Sequence, residues 1–279
     1  MSLAVVTDSA ACLPAALAAE RGIEVVELPV ATDDDGVPTT TSRPSVEALI
    51  EAYRRALARA DEVLALHLSA ALSGTVDNAR LAARALNPGE RGSQRVTVLD
   101  LGVSGGAQGF AVLAAADADH ARRGAARARE LASRSSLFFL VEDMAFLHRG
   151  GRVDRGIALL GSTPGIRPVL RVGSTGIEVV EAVRGRARAR RRLIELAVAE
   201  AGGPVGGRRA RRPATPVQLA VHYSDDPAAA LALENDLAEA MAEAGTTVET
   251  IMRSPADAAT RVHLGPGALG IVVAPALGG

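Results

Sequence analysis

Lysine and tryptophan are absent from this chain of 279 residues, cysteine occurs once, and aromatic residues make up 2%. A single cysteine excludes an internal disulfide and a cysteine-built zinc site, so nothing points to an oxidising compartment and a cytoplasmic location is expected. Without lysine there is no phosphate-loop lysine. The scarcity of aromatics removes the stacking surfaces that a binder of single-stranded nucleic acid would use. It also requires a core of Ala, Val and Leu that relies on close backbone approach. Long apolar runs are missing too. The charge-free stretches Leu101–Ala116 and Leu264–Gly279 span 16 residues each and are broken by Gly, Ser or Pro, short of the roughly 20 needed to cross a bilayer. The opening Met-Ser-Leu-Ala-Val-Val-Thr-Asp has no basic segment and reads as a strand, not a signal peptide. What is present, 48% hydrophobic and 23% charged residues at a net charge of −1, fits a globular protein of one large or two modest α/β domains.

Apolar and polar runs alternate in the manner of a parallel sheet. Leu3–Val6 is a strand ending at Thr7-Asp8-Ser9, where Asp8 or Ser9 is expected to cap a helix over Leu13–Arg21 that Gly22 stops. Ile23–Pro29, Val63–Leu68 and Arg95–Asp100 read as further strands, and Thr32–Thr41 as a polar loop. Helices are expected over Val46–Arg59, with Ser45 as N-cap, over Val76–Leu86 and over Gly109–Arg134. Leu137–Glu142 reads as a strand or a crossing between domains. Beyond it come a Gly-punctuated helical stretch (Met144–Gly161) and a hairpin of Ile166–Val172 with Ile177–Val183. A basic helix (Arg186–Ala201) and a linker (Gly202–Pro216) follow. Strands Val217–Tyr223, Thr247–Met252 and Gly270–Ala274 and the helix Pro227–Ala244 complete the chain. The pattern implies an N-terminal α/β domain (1–145) with a mostly parallel, Rossmann-like sheet, and a C-terminal α/β domain (146–279) with a mixed sheet. Ligands are expected at the C-terminal ends of the parallel strands.

Three clusters of small residues could carry chemistry. Thr39-Thr40-Thr41-Ser42-Arg43-Pro44-Ser45 places four consecutive hydroxyls and free amides ahead of a helix, where they serve as caps or meet an anion. His67-Leu68-Ser69-Ala70-Ala71-Leu72-Ser73-Gly74-Thr75 joins strand, turn and helix and sets Ser73 beside exposed amides. Arg261-Val262-His263-Leu264-Gly265-Pro266-Gly267-Ala268-Leu269-Gly270 is expected to form a turn in which His263 is either structural or oriented toward a ligand.

Together these clusters resemble the DegV family of fatty-acid-binding proteins over nearly the whole chain. Val5-Val6-Thr7-Asp8-Ser9 is similar to the family's opening. Thr41-Ser42-Arg43-Pro44-Ser45 resembles its Thr-Ser-Gln-Pro-Ser motif with Arg43 in place of Gln, and Leu72-Ser73-Gly74-Thr75 its Leu-Ser-Gly-Thr turn. Gly150-Gly151-Arg152, Ile166-Arg167-Pro168-Val169-Leu170 and Val183-Arg184-Gly185-Arg186 match further family segments in order. The ending His263-Leu264-Gly265-Pro266-Gly267-Ala268 differs from the family's only by Leu264 for Thr. Only Ala31–Thr40 separate the second strand from Thr41, where the family has some thirty residues.

The resemblance implies a two-domain DegV-like fold that buries a long-chain fatty acid such as palmitate. It further implies a carrier, not a catalyst, that presents the lipid to a separate fatty acid kinase, with no other cofactor. Thr41 and Ser73 are the implied carboxylate ligands. Ser42, Gly74, Thr75 and His263 are expected to support the head site, and Arg152 and Arg186 to face phosphates or the partner. Burying about fourteen methylenes at roughly 0.8 kcal/mol each gives about 11 kcal/mol gross, so the tail alone could hold the ligand after association costs. Hydroxyls and amides can satisfy a carboxylate near the surface without an Arg clamp. Two other readings are open. One is an acyl or phosphoryl transferase using Ser73, His263 as base and Asp100 as orienter. The other is nucleic-acid binding through Arg184–Arg192, which the net charge and lack of aromatics disfavour. Transient membrane contact is compatible with the sequence; no metal site is expected.

Overall fold

The computed structural model describes residues 2–36, 38–87, 95–153, 156–157, 165–203 and 215–276. The first strand, β1 (Leu3–Asp8), leads through a short 3-10 turn (Ser9–Ala11) into helix α1 (Ala15–Glu20) and strand β2 (Glu24–Val26). Strands β3 (Val30–Thr32) and β4 (Pro38–Thr41) pair antiparallel, so the polar segment expected as a loop is the tip and second arm of a small hairpin. Next come α2 (Val46–Leu57), β5 (Glu62–His67), α3 (Thr75–Leu86), β6 (Val96–Asp100), α4 (Gly106–Ala116) and α5 (Ala121–Ser133). The remainder is β7 (Ser136–Leu140), α6 (Met144–Arg149), the hairpin β8 (Ile166–Gly173) and β9 (Gly176–Arg184), and α7 (Arg186–Glu200). It ends with β10 (Val217–Tyr223), α8 (Pro227–Glu243), β11 (Val248–Pro255), α9 (Ala258–Leu264) and β12 (Leu269–Pro275). Most of the Gly202–Pro216 linker, and residues 154–155 and 158–161 of the Met144–Gly161 stretch, lie outside the described residues.

Two sheets organise the molecule. The first has the order β2-β1-β5-β6, all parallel, as strand–helix alternation requires. The second has the order β11-β10-β12-β7-β8-β9; only β10 and β11 run parallel. Strand β7 thus belongs to the six-stranded mixed sheet although it lies upstream of residue 145. Tyr53, Leu49 and Ala52 of α2 join Ala79 and Ala82 of α3 on one face of the parallel sheet. On its other face α4 and α5 pack against Leu64 and Leu66, and the same cluster takes in Ala220, Val272 and Ala274 of the mixed sheet. Helices α7 and α8 cover the far face of the mixed sheet through Leu193, Ala197, Leu233 and Leu237.

Helix α4 is buried on nearly all sides, as an apolar helix without a polar face must be. It fits because its small residues permit close approach. A Cβ at Gly106 would come within 2.6 Å of the Ala220 Cβ, so the helix backbone rests here directly on a small side chain of the sheet. The Ala-rich, aromatic-poor composition therefore does its packing through proximity. The single helix expected over Gly109–Arg134 is two, because the His120 side chain accepts the amide of Arg123 and caps a second helix.

Candidate functional site

Loops at the C-terminal ends of β1, β5 and β6 meet the mixed sheet around a cavity of about 320 Å³, within the range of small-molecule sites. Cys12, Leu68 and Ser104 come from those loops. Leu137 and Phe139 of β7, Val172 and Ile177 of the β8–β9 hairpin, and Leu147 of α6 supply apolar wall. Among the described lining residues none is acidic, whereas Arg43, Arg152, His222 and His263 all contribute. The cavity is thus apolar along most of its wall and carries cations and hydroxyls but no carboxylate.

Thr41, Ser42, Arg43, Ser73, Gly74, Arg152 and His263 all border this cavity. Thr41 ends β4, and Ser45 accepts the amide of Ala48, the N-cap expected from sequence. Ser73 and Gly74 lead into α3; the Ser73 hydroxyl lies 2.8 Å from that of Thr75, which is itself buried. His263 sits in the last turn of α9, not in the Gly-Pro turn where the sequence put it. The helix begins two turns earlier because Asp257 accepts the amides of Ala259 and Thr260. Asp257 also accepts the Ser9 hydroxyl, which in turn receives the amide of Leu28, tying α9 to the parallel-sheet layer. Burial raises the Asp257 carboxyl above its ordinary value.

The Thr41 hydroxyl lies 2.7 Å from Nε2 of His263. Desolvation, with Arg152 nearby, lowers the His263 pKa to about 4, so the ring is neutral near pH 7. Its Nδ1 is buried and has no partner. A bare ring nitrogen is less costly there than an orphaned N–H, so the proton sits on Nε2 and is donated to Thr41. That leaves the Thr41 O–H free to donate into the cavity. Gly150 makes room for the ring, since a Cβ there would overlap Nδ1. Half-buried Arg152 donates to the Gly150 carbonyl, and its pKa is lowered by desolvation.

Other expectations resolve differently. Arg186 lies outside the cavity lining and is paired with Glu142 at 2.6 Å, beside Arg167 at 3.3 Å. The transferase relay is not assembled: Ser73 bonds Thr75, His263 bonds Thr41, and Asp100 accepts the amides of Ala70 and Gly102. Asp8 does not cap a helix. Its carboxylate accepts from the Leu68 amide and the Gln108 side chain and lies 2.9 Å from Nδ1 of His67, whose Nε2 lies 3.0 Å from the Tyr53 hydroxyl. All four side chains are fully buried. This network fixes the ends of β1 and β5, from which two of the cavity loops spring. Sequence reasoning missed it, although a His ending one strand and an Asp ending its parallel neighbour was a signal. His222, also missed, lines the inner wall. Its Nε2 accepts the Gly106 amide and its Nδ1 faces the Ser254 carbonyl, and burial pushes its pKa down to about 4. Among the described residues no group of His, Cys, Asp or Glu could hold a metal ion, and no helix is long and apolar enough to cross a membrane.

Residues 34–276 match the family described as "Uncharacterised protein, DegV family". A DegV domain-containing protein of Streptomyces coelicolor is 35% identical, covering 97% of this chain and 98% of that one. A DegV family protein from Thermus thermophilus, solved in a study of its fatty acid binding, superposes with a TM-score of 0.84 at 30% identity, over 99% of this chain and 100% of the other. DegV of Bacillus subtilis, described as a fatty acid binding protein, gives a TM-score of 0.79 at 26% identity, over 99% of this chain and 100% of that one. With the family pattern matched over most of its length and the same arrangement of sheets, the chain belongs to the DegV family.

Proposed function

We propose that this protein binds a long-chain fatty acid, tail in the cavity and carboxylate at its polar end, and acts as a carrier. The observation that carries this reading is the composition of the cavity wall: apolar over most of its surface, with several hydroxyls, those of Thr41 and Ser73 among them, two guanidiniums and, among the described lining residues, no carboxylate. Thr41 and Ser73 donate to the carboxylate; Ser42, Gly74 and Thr75 shape the turn, and His263 orients the Thr41 hydroxyl. In this reading residues 1–145 carry the head-group loops and 146–279 cover the acyl chain. The carboxylate faces a separate fatty acid kinase, in the cytoplasm, with Arg152 at the cavity wall contributing positive charge and Arg186 held outside it by Glu142. The fatty acid binding described for the Thermus and Bacillus relatives supports it.

Native mass spectrometry of the freshly purified chain, followed by lipid extraction, tests the proposal. A mass increment equal to a long-chain fatty acid is expected, with chain length and saturation read from the extract. A chain that arrives empty and takes up neither palmitate nor oleate would overturn it.

A further inference from the structure

Among the charged residues of the cavity wall, Arg43 stands apart. Arg152 has spent an N–H on the Gly150 carbonyl and is half-buried, and both histidines are held neutral by burial. Arg43 is exposed, and its guanidinium has neither a hydrogen bond nor an ion pair with any described residue, although it borders the cavity. The side chain lies across Gly74, so that a Cβ at that position would stand 2.7 Å from Nη1 and 3.3 Å from Cδ. Gly74 is the residue between Ser73 and Thr75, whose hydroxyls face each other. The absence of a side chain at 74 is what lets a cation settle against this turn.

We infer that Arg43 is the residue by which this chain reads head-group charge: it pairs with the anionic head of the bound acyl chain and discriminates it from neutral lipids of the same length. The inference rests on the fatty-acid reading above. Hydroxyls at Thr41 and Ser73 cannot make this discrimination alone, because an alcohol or an ester also accepts a hydrogen bond from them. A guanidinium with free donors adds a charge-assisted bond only an anion returns. Its exposure keeps the head accessible from outside and makes the contribution sensitive to salt. A Lys would keep the charge without the planar fork.

The test uses the full chain, stripped of lipid, in competition between palmitate and 1-hexadecanol read by native mass spectrometry. Wild type, Arg43→Gln, Arg43→Lys and Arg152→Gln are compared after matching their melting temperatures. Arg43→Gln should lower the palmitate-to-hexadecanol ratio about three- to tenfold while leaving hexadecanol uptake unchanged, the range for a partly exposed charge pair. Raising salt from about 0.05 to about 0.5 M should lower the wild-type ratio and leave that of Arg43→Gln flat. Arg43→Lys should keep most of the preference. An unchanged ratio in Arg43→Gln, or a loss confined to Arg152→Gln, overturns the assignment while the fatty-acid reading stands. Wild type that takes up both lipids equally, without response to salt, does the same; uptake of neither lipid overturns both.

Discussion

The Thr41 hydroxyl and Nε2 of His263 are hydrogen-bond partners at 2.7 Å across 222 residues of sequence. The pair joins the small hairpin β3–β4 to the short helix α9, and the unpartnered Nδ1 of the neutral ring favours the proton on Nε2. With the ring proton committed to Thr41, the threonine proton points elsewhere.

Removing that donor should weaken ligand retention without unfolding the chain. Thr41→Val and Ser73→Ala each delete one hydrogen bond to a charged acceptor, worth roughly 1.5–3 kcal/mol. Each should reduce palmitate affinity about tenfold or more, and the double variant should purify empty. Calorimetric titration of lipid-free protein checks the affinities. Full lipid occupancy in the double variant would sink the head site.

Acid should destabilise the fold over a defined window. His222 and His263 take up a proton near 6.5 when unfolded but only near 4 in the native structure. The unfolded chain therefore binds more protons between those values, and their contribution, complete above pH 6.5, is lost as pH falls toward 4. For fully buried His222 the loss is on the order of 3 kcal/mol. Asp257, raised by burial, works in the opposite sense just above 3.8. Thermal unfolding from pH 7.5 to 4.5 should show a falling midpoint, with a shallower slope in His222→Gln despite its lower overall stability.

Tyr53→Phe should separate stability from binding. The change orphans Nε2 of buried His67, at a cost of about 1–3 kcal/mol, while leaving the cavity wall untouched. A lower denaturation midpoint with normal palmitate uptake is expected. Loss of uptake in a folded variant would show that the network acts on the cavity directly.

Ala268 is buried, borders the cavity and packs with Phe139, Leu147 and Leu170. Ala268→Leu adds three carbons to a wall that faces empty space, so extracted lipids should shift toward shorter chains, as seen by gas chromatography. An unaltered chain-length profile would place the tail elsewhere.

Local signals in the sequence located most elements. Ser45 capped its helix, Gly22 at φ 61 ended α1, and Gly173–Gly176 turned the β8–β9 hairpin. Thr41, Ser42, Ser73 and Gly74 of the two hydroxyl loops also border one cavity, whereas Thr75 does not line it. What stayed hidden depended on partners far along the chain. Asp8 reads as a cap until His67, 59 residues on, is seen to occupy its carboxylate. Arg186 reads as free charge until Glu142 is found beside it. His263 reads as part of a turn because Gly265 and Pro266 are conspicuous, whereas the Asp257 cap that starts its helix lies six residues upstream among alanines. The parallel-sheet pattern announced β1, β2, β5 and β6, but nothing local told that β3 and β4 pair as a hairpin or that β7 changes layer.

The cavity is bounded by residues of both sheet layers. Whatever apolar tail enters supplies contact surface to both at once and becomes, for its residence, a piece of the interior. Occupancy and melting temperature are then linked by mass action. Under the proposed function, losing the acyl chain lowers the melting temperature and rebinding restores it.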